Sequence, residues 1–92
     1  MSLEVKLVVK GIVQGVGYRA YCRELAEQTN LTGYADNLPD GSVEVLACGE
    51  GEDVAKFLEL LNKSKPADAR IDGVQVLHKK TCEFRPPSFR II

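Results

Sequence analysis

The 92-residue chain has no tryptophan, a single histidine and no Cys-x-x-Cys pair. His78 stands alone, and Cys22, Cys48 and Cys82 form an odd, scattered set. No zinc-ligand spacing and no disulfide framework can be read from them. We therefore expect no bound metal, reduced thiols and a cytoplasmic setting. An excess of one charge is lacking too: 12 Lys and Arg stand against 13 Asp and Glu, a net charge of −1. These charges are interspersed along the chain, so no nucleic acid or other polyanionic partner is expected, and any anion site must be local. Long apolar runs are missing, and Lys6 and Lys10 interrupt the N-terminal one. No membrane span is expected, and the start carries no secretory pattern. The remaining balance, 45% hydrophobic and 27% charged, is that of a globular chain. It predicts one domain over 1–92. With no large apolar face left over, a monomer is the default.

Periodicity supplies the elements. Leu3, Val5, Leu7 and Val9 alternate with Glu4, Lys6 and Lys10, which predicts a half-buried strand over Leu3–Val13. Three glycines between Gly11 and Gly17 then mark a loop. From Tyr18 to about Asn30 the period changes. Tyr18, Tyr21, Cys22, Leu25, Ala26 and Thr29 share a helical face, opposite Arg23, Glu24, Glu27 and Gln28. Leu31–Leu38 and Ser42–Cys48 read as strands joined by the turn Pro39-Asp40-Gly41. A second helix carries Val54, Phe57, Leu58 and Leu61 and stops at Pro66. Arg70–Lys79 reads as another strand, and Phe84–Ile92 as a short edge strand beyond Pro86-Pro87. Each helix has one apolar stripe and each strand one apolar face. The economical packing is an α+β fold: a mostly antiparallel sheet with both helices on one face, the ferredoxin-like split β-α-β sandwich (βαββαβ plus a short edge strand). That fold hosts many functions and names none.

The informative stretch is Gly11-Ile12-Val13-Gln14-Gly15-Val16-Gly17-Tyr18-Arg19, between a strand end and a helix start. First-turn amides of a helix lack intrahelical partners and, with the helix dipole, favour an anion. Gly15 and Gly17 let the backbone curl around one. Arg19 opposes the dipole unless a phosphate sits there, and its donor fork matches two phosphate oxygens. On these residues alone it reads equally as a solvated arginine. Residues Gly15 to Ala20 also satisfy G-x-G-x-x-A, with Asp36 about 20 residues downstream, as in dinucleotide-binding folds. The hairpin predicted through Asn37–Ser42 forces antiparallel pairing where that fold needs parallel strands.

Gly11–Arg19 resembles the acylphosphatase signature G-R-V-Q-G-V-x-F-R. Gly33-Tyr34-Ala35-Asp36-Asn37-Leu38-Pro39-Asp40-Gly41-Ser42-Val43, with the later Gly49, is similar to the family's second motif. The resemblance covers essentially the whole chain. It implies that Arg19 binds a phosphoryl group, that Asn37 positions the attacking water, and that Gly15, Val16, Gly17 and Tyr18 cradle phosphate through their backbone. It implies a small-molecule acyl phosphate as substrate, inorganic phosphate as product, and no cofactor. Three departures stand out. Ile12 replaces the usual arginine and is expected at the surface. Tyr18 replaces a phenylalanine. Asp36 stands where a basic or neutral residue is usual, and alternation should turn it away from Asn37. Cys22 is expected to be a small core residue. The competing function is a non-catalytic anion-binding or interaction module on the same fold.

Overall fold

The computed structural model describes residues 2–92. The elements run β1 (Ser2–Ile12), α1 (Tyr18–Gln28), β2 (Thr32–Asn37), β3 (Val43–Glu50), α2 (Gly51–Lys63), β4 (Arg70–Thr81) and β5 (Phe89–Ile91). They build one five-stranded sheet in the order β4-β1-β3-β2-β5. Every pair is antiparallel except β2–β5, which is parallel. The expected ferredoxin-like fold is therefore the observed one. The β2–β3 hairpin pairs Asp36 with Glu44 and Asn37 with Val43. The parallel β-α-β unit required for dinucleotide binding is thus absent there.

Alternation decides which side of the sheet is covered. Val5, Leu7 and Val9 of β1 and Val43, Val45 and Ala47 of β3 are fully buried, and they pack with Tyr18, Cys22, Leu25 and Ala26 of α1 and Val54, Phe57 and Leu61 of α2. These are the apolar faces that the sequence pattern picks out. Ile12 is half exposed, as expected of a residue at the strand end. The edge strand β4 is largely exposed and carries Lys79 and Lys80, charges that discourage edge-to-edge pairing.

Most boundaries fall within one or two residues of the pattern, and β4 runs on to Thr81. The last strand begins at Phe89, not Phe84, because Pro86 and Pro87 have no N–H to give to a ladder. β3 continues to Glu50, and α2 starts immediately at Gly51. No described helix is long and apolar enough to cross a membrane.

Strands β2 and β3 approach closely at Gly33, where φ is 148° and an added Cβ would lie 1.8 Å from the Leu46 carbonyl oxygen. Its amide also donates to Ser88 at the entry to β5. We expect Gly33→Ala to destabilise the chain by at least about 3 kcal/mol, the scale of strain plus overpacking. Urea unfolding should show this as a lowered midpoint with little change in slope.

Candidate active site

The loop between β1 and α1 ends in a helix start built for a ligand. Gly17 is the N-cap with φ 78° and Gly15 has φ 75°, left-handed conformations that glycine adopts without strain. No side chain caps the helix, and its first turn holds no acidic residue. The positive end of the α1 dipole therefore faces the loop uncompensated.

Three more segments converge on this loop. Val13, Gly15, Gly17, Tyr18, Arg19 and Ala20 line a cavity of about 160 Å³, together with Asn37 from the end of β2 and Ile91 from β5. Residues far apart in sequence, Arg19 and Asn37, thus share one pocket. Val16 packs partly buried against the core beside it. A larger hollow of about 340 Å³, at the end of α2 by Leu61–Lys65 and Ile71, gathers no comparable set of groups.

Each side chain has an identifiable constraint. Asn37 follows Ala35 and Asp36 in β2, so it shares the helix-covered face with the fully buried Ala35. Its Oδ1 is buried without a hydrogen-bond partner, an acceptor that ordinarily finds one. Asp36 points the other way, as alternation requires. It does not line the cavity, and its charge acts instead on Tyr34, whose hydroxyl donates to Glu44 at 2.7 Å. Arg19 Nη1 donates to the Ile92 backbone oxygen at 2.6 Å. Ile92 is placed there by β5, whose ladder continues through Ile92 N–H to Ala35 O at 3.0 Å. The last strand therefore orients the guanidinium at the mouth of the pocket.

Gln14 is the residue that sequence reasoning quoted but gave no role. Its Nε2 donates to Leu38 O at 2.8 Å and to Ser42 O at 2.9 Å. Those two carbonyls bracket the β2–β3 turn, which is closed by Leu38 N–H to Ser42 O at 2.8 Å and braced by the Asp40 carboxylate on Ser42. One carboxamide thus ties the glycine loop to the hairpin that carries Asn37. A polar residue inside a glycine loop signals such a tether only if its distant acceptors are known.

The remaining groups near the loop are not reactive. The Tyr18 hydroxyl is buried without a formed hydrogen bond, and burial, helped by the neighbouring Cys22, pushes its pKa far up. Burial pushes the Cys22 thiol up to about 12, so it stays protonated and serves as a small core residue.

Comparison with known proteins bears on the whole chain. The acylphosphatase family profile matches residues 5–91. A curated acylphosphatase of Photobacterium profundum is 54% identical over 70 residues, spanning 76% of this chain and 77% of that protein. Among solved structures, the acylphosphatase of Bacillus subtilis superposes with a TM-score of 0.88 at 30% identity, over 98% of both chains. The acylphosphatase of Coxiella burnetii gives 0.87 at 33% identity, covering 99% of this chain and 93% of that one. A dipole-backed glycine loop, an arginine and a strand-end asparagine around one pocket, on this fold and in this company, lead to one assignment: the chain belongs to the acylphosphatase family.

Proposed function

We propose that this chain hydrolyses the carboxyl–phosphate bond of small acyl phosphates without a metal or cofactor, with Arg19 and Asn37 as its catalytic residues. The carrying observation is the shared cavity, which Arg19 and Asn37 line together with the glycine loop, Asn37 having an unpartnered Oδ1. The substrate phosphoryl group takes the loop, where the amides of Gly15, Val16, Gly17 and Tyr18 and the Arg19 fork meet its equatorial oxygens. Charge spread over those oxygens grows more tightly held toward the transition state, so these groups lower the barrier and do more than bind.

The leaving group explains why so few groups suffice. A departing carboxylate has a conjugate acid of pKa near ~4 and needs no general acid. Asn37 Oδ1 accepts a hydrogen bond from water and holds it in line with the leaving oxygen, a positioning role. A neutral carboxamide is a poor base, so the water's proton goes to a phosphate oxygen of the substrate itself. Carboxylate and inorganic phosphate leave. The Ile92 oxygen holds Arg19 ready before substrate arrives. We take residues 1–92 to act as one monomeric catalytic domain in the cytoplasm, a setting that suits three unpaired thiols.

The direct assay is turnover of benzoyl phosphate by the purified chain, followed by loss of ultraviolet absorbance with and without EDTA. Equal turnover in both is expected, whereas phosphate binding without turnover would mark a non-catalytic module. Arg19→Ala should lower kcat/KM by at least about 10³-fold, the scale of removing a transition-state arginine. Asn37→Ala should lower kcat by about 10²-fold with little change in KM, since it positions water and not substrate. Near-normal rates in both variants would overturn the assignment of these roles.

Gln14→Ala leaves Leu38 O and Ser42 O without their side-chain donor. A stability loss of about 1–3 kcal/mol is expected, with kcat reduced as the loop and Asn37 lose their common tether. Tyr18→Phe should act in the opposite sense on stability. It deletes an unsatisfied buried hydroxyl and leaves the cradling amide in place, so unfolding should cost about 1 kcal/mol more while turnover is kept. Chemical denaturation and the same assay measure both.

A further inference from the structure

At the other end of the sheet, three residues with no sequence proximity come together. Glu4 pairs with Cys48 across β1 and β3, and Cys82 follows the end of β4, where its amide bonds to Ser2 O at 3.0 Å. One ligand atom from each of Glu4, Cys48 and Cys82 lies within 4.8 Å of the others. The Cys48 thiol donates to Glu4 Oε1 at 3.9 Å. The second carboxylate oxygen, Glu4 Oε2, meets His78 Nε2 at 2.9 Å and Lys80 Nζ at 3.8 Å. Both sulfurs are buried.

We propose that Glu4, Cys48 and Cys82 form a structural binding site for a borderline-soft dication of the zinc class. Two sulfurs with one carboxylate oxygen are a donor set that prefers zinc to magnesium or calcium. His78 holds the carboxylate by its far oxygen, the kind of outer contact that orients a metal ligand. Glu4 also lines a hollow of about 240 Å³ with Lys80, Thr81, Glu83 and Phe84, so the site opens toward solvent at its carboxylate.

The charges balance. Zinc binds one carboxylate and two thiols, the two thiol protons leave to solvent, and the loaded site carries a net charge of −1, with the Lys80 ammonium 3.8 Å from Glu4 Oε2. The site lies roughly eight residues along β1 from the anion loop, about 26 Å at ~3.3 Å per residue. Its effect is therefore to staple β1, β3 and the segment after β4, separately from phosphate chemistry.

The test is titration of the reduced, chelator-stripped chain with zinc chloride alone, by calorimetry in two buffers of different protonation enthalpy. One zinc per chain and release of close to two protons are expected. Zinc at a hundredfold excess over Kd should raise Tm by about 10 °C. Cys48→Ala and Cys82→Ala should each weaken binding more than about 100-fold. Loss on His78→Ala should stay within the ~10–100-fold typical of an outer partner, and Cys22→Ala should bind normally. If a cysteine variant fails to fold, the cobalt complex of the unaltered chain decides, through the near-ultraviolet charge-transfer absorption of two cobalt–thiolate bonds. No zinc uptake, uptake without proton release, or a cobalt complex lacking that absorption would overturn the proposal.

Discussion

Everything at the anion end of this molecule depends on holding a loop and a strand end in register across a gap that no ladder spans. The Gln14 carboxamide does this by giving both its protons to backbone carbonyls on either side of the β2–β3 turn. Glycines make the loop able to adopt its left-handed turns, but the same freedom leaves it floppy in the unfolded chain and weakly held in the folded one. A side-chain tether to the hairpin offsets this. It also fixes the distance between the proposed phosphate cradle and Asn37 by anchoring the loop to the paired hairpin of β2 and β3.

Electrostatically the pocket is positive. The α1 dipole and Arg19 both present positive charge to one small cavity, with no acidic residue in the first helical turn. The Ile92 oxygen supplies a partial counterweight and an orientation for the guanidinium. The acidic residues of this region, Asp36 and Glu44, lie across the sheet with Tyr34. Alternation along β2 thus separates a carboxylate and a carboxamide that are adjacent in sequence. A strand uses that separation to put opposite chemistries on its two faces.

The three cysteines show how position in the fold divides one residue type. Cys22 lies on the buried face of α1, one turn from Tyr18, where burial keeps it protonated. Cys48 and Cys82 meet beside Glu4 on the face of the sheet away from the helices. By spacing along the chain they are unrelated, and a reading based on metal-ligand motifs finds nothing there. Their meeting follows from β1 lying between β3 and β4, which brings the end of one strand alongside the end of the other.

The sequence by itself determined the fold class, the buried faces and the location of the glycine loop. These rest on local signals: period 2 in β1 and β3, period 3.6 in the helices, and glycine punctuation before Tyr18. It also assigned Asp36 and Asn37 to opposite faces, since alternation needs no knowledge of partners. Only the tertiary structure decided which residues complete the pocket. The parallel pairing of β5 with β2 brings Ile91 and Ile92 to Arg19, and the acceptors of Gln14 lie 24 and 28 residues away. Such contacts are set by how strands order themselves in a sheet, and that order is chosen by burying all apolar faces at once, a condition no short window of residues contains.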